Sequence, residues 1–220
     1  MSVDVIPRPQ WTEVVLAAAP RNVLDRGLLE DLHAVLADLA RQDGPLLLLR
    51  AEGRHFSTGY SIGDIPEAIF HRDPRIRAAH PFEQVMAALV HYPAPVVAAV
   101  QGDAYGGAVE LLACADLRVA VRGVRLGVPA VRLGLVYSHT GLRRLIRGFG
   151  PALVRELLLL GEPIGAERAR DAGFFNRVVP REDLRPTAEE LLAGLSRSGP
   201  GALRGTRRLL TLLEETETLP

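Results

Sequence analysis

No lysine occurs in these 220 residues; all 26 basic side chains are arginine, and they balance 26 acidic ones. That absence removes Schiff-base chemistry and a Walker-type phosphate-binding lysine. A formal net charge of zero gives no bulk electrostatic support to a nucleic-acid or anionic-membrane partner. Cysteine is as scarce. Cys114 stands alone, which excludes an intrachain disulfide and a cysteine-rich metal site and leaves a small core residue. No apolar run is long enough to span a bilayer, and the opening MSVDVIPRPQWTE has no apolar signal region, so the expected location is the cytoplasm. Aliphatic residues are plentiful instead. With 48% hydrophobic residues and 5% aromatics, the chain can bury one sizeable core, and no shift in composition marks a second large domain.

Hydrophobic periodicity sets out alternating elements. Trp11 to Ala18 reads as a strand, and Asn22 or Asp25 caps a helix to about Arg41, with Leu28, Leu32, Val35, Leu36 and Leu39 on its apolar face. Asp43-Gly44-Pro45 ends it before an apolar strand, Leu46 to Arg50. A helix over Pro81 to His91, a buried strand over Val96 to Val100 and a further strand over Asp116 to Ala120 follow. Residues 66–79 mix charge, proline and histidine and read as a mobile surface segment, with His71 and His80 as surface histidines. Pro129, Gly134 and Gly141 punctuate Leu126 to Gly141, which reads as a buried, irregular loop. Helices to Arg147, over Pro151 to Leu160, Pro186 to Leu195 and Ala202 to Glu215 complete the periodic elements. Such alternation argues for parallel strands with helical crossovers, an α/β fold.

Two stretches carry the chemistry. The Val96–Val100 strand breaks at Gly102, and Gly106-Gly107 then open an apolar helical pattern in QGDAYGGAVELLACAD. Unpaired amides at such a helix start suit an anion or a developing oxyanion; the same glycines also suit a plain tight turn. The Leu46–Arg50 strand likewise runs into a glycine-containing turn, AEGRHFSTGYSIGDI. Gly53, Phe56, Ser57 and Gly59 in the first turn, then Gly102, Gly106, Gly107 and Glu110 in the second, resemble the two motifs of the crotonase superfamily, the enoyl-CoA hydratase/isomerase family. The resemblance covers nearly the whole chain, with both motifs in the family's order.

The resemblance implies a spiral of repeated ββα units, a core over residues 1–180 that includes a short helix over Gly165 to Ala172 and a strand within Phe174 to Val179, and a C-terminal helical segment over 181–220. Family members usually continue into further C-terminal helices, so this segment is short by comparison. Trimers or paired trimers are the implied assembly. It also implies an acyl-CoA thioester substrate, with coenzyme A part of that substrate and no separate cofactor or metal. The backbone amides of Tyr60 and Gly107 are then the pair that holds the thioester oxygen, and fixed donors of this kind are each worth about 10²–10³ in rate. Glu110 matches one of the two hydratase glutamates, and its apolar neighbours Val109, Leu111 and Leu112 argue against a solvated position. The second glutamate of the family follows a proline; here that step is Pro129-Ala130. Alanine moves no proton, so water addition loses one of its two groups, and simple isomerase chemistry is weakened at the same position.

Tyr137, in LGLVYSHTG, resembles the tyrosine of the methylmalonyl-CoA decarboxylase branch, which also lacks the second glutamate. The leading reading is therefore a malonyl-type decarboxylase, in which Tyr137 orients the carboxylate or donates a proton and Tyr60 closes the pocket. That branch carries histidine-aspartate where this chain has Tyr60-Ser61. A core tyrosine with one satisfied hydroxyl is the plain alternative for Tyr137, and a structural role is the alternative for His139. Ser61, Ile62, Ile65, Ala130 and His139 are the expected acyl pocket. Arg54 and Phe56 are the expected coenzyme A contacts, with Arg143-Arg144, Arg147 and Arg207-Arg208 as alternative cations. Two further readings remain open: an atypical hydratase or isomerase using Glu110 with Tyr137 or His139, and a non-catalytic crotonase-fold subunit that binds a partner protein.

Overall fold

Valine, leucine and alanine runs with no polar alternation demand cover on both faces, and the computed structural model, which describes residues 2–60 and 78–216, provides it. Ser61, Ile62, Ile65 and His71 lie outside those residues, as does the expected surface segment up to residue 77. Val3–Pro7 (β1) and Thr12–Leu16 (β2) pair antiparallel. From β2 the sheet continues in parallel through Leu47–Ala51 (β3), Val96–Val100 (β4), Leu117–Val121 (β6) and Arg177–Val179 (β9). A smaller sheet joins Ala104–Tyr105 (β5), Arg125–Gly127 (β7) and Ile164–Gly165 (β8). These three short strands, and β1, were not legible as periodic runs.

Helices Arg26–Arg41 (α1) and Pro81–Val90 (α2) cover one face of the large sheet, where the main core lies. Gly107–Ala113 (α3), His139–Phe149 (α4) and Pro151–Leu159 (α5) add to that core, followed by Ala166–Asp171 (α6). On the opposite face, Ala188 and Leu192 of Leu184–Ser196 (α7) pack on Leu48, Val97, Ala99 and Val119. The last described helix is Pro200–Thr216 (α8).

Helix ends follow local chemistry. Asp25 caps α1, accepting from the Leu28 amide at 2.9 Å. Asn22 is no cap. It is fully buried at φ +47°, and its side-chain amide donates to the carbonyls of Glu52 (2.8 Å), His55 (3.3 Å) and Phe56 (3.1 Å), bracing the first glycine turn. His80 is not a surface residue either. Half-buried, it caps α2 by accepting from the Phe82 amide at 3.2 Å, and burial with the nearby Arg26 holds its imidazole below the usual range.

Buried arginines close two C-terminal ends. Arg118 donates to the carbonyls of Leu112, Ala115 and Phe174 and lies 4.7 Å over the Phe174 ring. Arg207, weighed above as a phosphate cation, is only 8% exposed; it bonds Asp116 and the carbonyls of Leu89, Val90 and Tyr92 at the end of α2.

One expectation reverses in part. Leu126, Val128 and Ser138 near the ends of the 126–141 stretch are buried, but its middle is not: Val131, Leu133 and Val136 are 47%, 45% and 80% exposed. A short 3-10 turn, Pro129–Leu133, ends at Gly134, and Arg132 ties it to the Leu160 carbonyl and Glu162. The outer sides of this turn meet no covering layer within the described chain, so its apolar pieces face outward.

Candidate active site

The two glycine turns are stitched together. The Phe56 amide donates to the Asp103 carbonyl (3.0 Å), the Tyr105 amide to the Ser57 carbonyl (3.1 Å), and Ser57 bridges Ala104 as in a parallel sheet. Gly59, at φ +73°, sits so close that a side chain there would collide with the Tyr105 carbonyl and come within 3.3 Å of the Gly107 nitrogen. This contact brings the backbone after Gly59 against the start of α3. Among the described residues, neither the Tyr60 nor the Gly107 amide has an acceptor. The Tyr60 ring packs 5.2 Å from Phe82, and its buried hydroxyl has no partner among the described residues. Burial, then the charges of Glu110 and Glu83, push that phenol far above its ordinary value.

One turn into α3 the chain places Glu110, 2% exposed, as its apolar neighbours led us to expect. Tyr137 donates to Glu110 Oε2 at 3.0 Å, and Arg144 Nη1 to Oε1 at 2.5 Å. Arg144 also grips Glu83, Nη2 to Oε2 at 2.6 Å and Nη1 to Oε1 at 3.3 Å, while Thr140 donates to Glu83 at 2.8 Å. Burial raises the Glu110 carboxyl above the usual range; Arg144 and the Tyr137 bond pull it down without cancelling the rise, and Glu83 adds to it. The Tyr137 hydroxyl is raised well above its ordinary value by burial and by Glu110. Gly141 makes this approach sterically feasible, since a side chain there would collide with the Tyr137 ring and lie 2.7 Å from Glu110 Oε2. Cys114 packs behind the cluster, its thiol pushed up to about 12 by burial.

Glu110 and Tyr137 are thus brought together next to Gly107 and Tyr60. His139 is not part of that cluster: it is exposed at the first position of α4 and bonds neither residue among those described. Ala130 is half-buried in the 3-10 turn. Arg54 is exposed, whereas Phe56 is 0% exposed in the core, so its side chain offers no surface to a ligand. Arg144, weighed above as a phosphate cation, is committed to two glutamates. Sequence reasoning missed Glu83, Thr140 and the bracing Asn22. A usable signal for Glu83 was its place among Phe82, Val85 and Met86, the buried stripe of α2.

Two backbone amides without an acceptor among the described residues thus lie beside a buried carboxylate–tyrosine pair, on a largely parallel sheet wound with helices. Residues 13–214 match the model of the enoyl-CoA hydratase/isomerase family, so this chain belongs to that family of enzymes acting on acyl-CoA thioesters. It is 30% identical to the methylmalonyl-CoA decarboxylase of Escherichia coli (strain K12) over 200 residues, 90% of this chain and 76% of that protein. With a probable enoyl-CoA hydratase of Bacillus subtilis (strain 168) it shares 31% over 193 residues, 87% of this chain and 74% of the relative. A solved methylmalonyl-CoA decarboxylase in complex with 2-nitronate-propionyl-CoA superimposes with a TM-score of 0.91 at 28% identity, covering 100% of this chain and 85% of that one.

Proposed function

We propose that this enzyme decarboxylates a malonyl-type, methylmalonyl-CoA-like thioester through an enolate. The bond between Cα and the substrate carboxylate breaks, carbon dioxide leaves, and the electron pair moves onto the thioester oxygen held by the Tyr60 and Gly107 amides. Negative charge thereby moves away from the carboxylates of Glu110 and Glu83 and towards two fixed donors, a direction this electrostatic layout favours. Tyr137 orients the substrate carboxylate or returns the proton to Cα. The observation that carries the reading is the 3.0 Å bond between Tyr137 and Glu110 beside Gly107, in a chain with alanine at position 130. Sequence and structural likeness to methylmalonyl-CoA decarboxylases supports it. No cofactor is called for beyond the coenzyme A of the substrate, and Arg54 is the cation proposed for its phosphates. The exposed apolar residues Val131, Leu133, Val136, Leu159 and Leu160 support assembly as a trimer or hexamer.

A second reading, an atypical hydratase or isomerase, is favoured by the raised Glu110 carboxyl, which suits a group that both holds and releases a proton. Mass spectrometry in deuterated water with methylmalonyl-, crotonyl- and acetyl-CoA separates the two. Loss of carbon dioxide with deuterium at Cα is the expected result; water addition to crotonyl-CoA without decarboxylation would replace it with the second reading.

A further inference from the structure

Three helices each contribute one charge to a single buried contact: Glu83 from α2, Glu110 from α3 and Arg144 from α4. The guanidinium is the shared member. Both of its terminal nitrogens engage Glu83, and Nη1 also reaches Glu110 Oε1. A planar fork clamped in this way has one orientation. Thr140 also donates to Glu83 Oε1, and Ser138, which caps α4, lies 3.4 Å from Thr140. Glu110 is therefore gripped at Oε1, and its other oxygen is left to Tyr137.

We propose that Glu83 and Arg144 are a positioning pair: they fix the plane and charge of the Glu110 carboxyl so that Oε2 receives Tyr137. This rests on the reading of Glu110 and Tyr137 as the reacting site. Neither Glu83 nor Arg144 has to touch substrate; both act through Glu110. The Arg144 side chain is 15% exposed and that of Glu83 8%, so little water screens the pair. The groups facing Glu110 are Arg144 and Glu83, the Tyr137 and Tyr60 hydroxyl-bearing rings, and Cys114 one turn along its own helix.

The sign of each effect is fixed. Arg144 favours the ionised Glu110, and Glu83 disfavours it. Removing the arginine must raise the titration midpoint of Glu110, and neutralising Glu83 must lower it. A solvated pair would move neither, and a pair acting by charge alone would move the midpoint without disturbing the Tyr137 bond to Oε2.

The test is a carbon-13 NMR titration of the full chain labelled at glutamate carboxyls, with the Glu110 signal assigned by its loss in Glu110→Gln. It needs no substrate, so it gives an answer whether or not the decarboxylase reading holds. Arg144→Met is expected to raise the Glu110 midpoint by about one pH unit or more, and Arg144→Lys to restore part of that shift. Glu83→Gln, which keeps shape and an acceptor oxygen, is expected to lower it, and this variant decides the matter if Arg144→Met does not fold. Carbon-13 at the tyrosine ζ carbon, read in the same variants, reports the Tyr137 bond to Oε2 and is expected to shift with them. A Glu110 midpoint unmoved in folded protein, or one that moves while the Tyr137 signal stays unchanged, overturns the proposal.

Discussion

Tyr137 has one hydrogen-bonding group, and it is given to Glu110. Tyr137→Phe keeps the ring that packs on the core and removes only that donor. Turnover is expected to fall about 10²-fold, with about 1–3 kcal/mol lost from the unpaired Glu110 oxygen; the same stability loss with normal turnover would assign Tyr137 to the core instead. Glu110→Gln separates the two chemistries. Hydration of crotonyl-CoA should vanish, while decarboxylation persists at a reduced rate, because that reaction asks for no strong base. Full hydratase activity in Glu110→Gln would remove Glu110 from the hydration mechanism. At this scale the sequence was informative wherever local context betrayed a residue. Glu110 stood among apolar neighbours, and its burial followed. Arg144 was visible only as half of an Arg-Arg pair on a helix face, since its two partners lie 34 and 61 residues away.

At the scale of elements, the strands with continuous apolar runs were legible, as were the long helices, whose caps and breakers bracket them. The two-residue strands β5 and β8 were not, because their pairing depends on chain brought from elsewhere and not on their own pattern. The stretch from Leu126 to Gly141 looked buried from its valines and leucines, yet a 3-10 turn spreads side chains around its axis too evenly for one face to hide them. Two glycines test how turns and helices build the site. Gly59→Ala places a side chain against the Tyr105 carbonyl at positive φ, and a loss of about 1–3 kcal/mol in urea unfolding is expected. Gly141 has ordinary helical geometry, so Gly141→Ala is tolerated by the backbone but pushes on the Tyr137 ring and Glu110. The expected outcome is a rate loss on the order of 10²-fold from misplacement, with an overpacking cost of about 1–3 kcal/mol in urea unfolding. Unchanged rates in Gly141→Ala would show that the Glu110–Tyr137 contact is not critical.

Across the whole molecule, Glu13 ties distant parts of the chain together. Its side chain is 0% exposed and accepts from Arg8 (2.7 Å), Arg50 (3.0 Å) and Arg185 (2.6 Å), linking the β1–β2 hairpin, β3 and α7. Burial opposes its ionisation, but the three arginine hydrogen bonds outweigh burial and hold the carboxyl below its ordinary value of 4.5. A carboxyl depressed in the folded state adds stability above its unfolded value and loses it as pH falls through the folded one. Acid should therefore destabilise the native chain below about pH 4.5, and Glu13→Gln should flatten that dependence while costing about 1.5–3 kcal/mol at neutral pH. Chemical denaturation across pH measures both; parallel pH profiles for the two proteins would remove Glu13 from this role.

The Tyr60 and Gly107 amides, with Glu110 and Tyr137 alongside, are expected to recognise an enolate better than a neutral thioester. Calorimetric affinities for propionyl-CoA and for its nitronate analogue, whose planar acyl group spreads negative charge as an enolate does, test it directly. At least ~10²-fold tighter binding of the nitronate is expected. Equal affinities would show that the site does not stabilise an enolate.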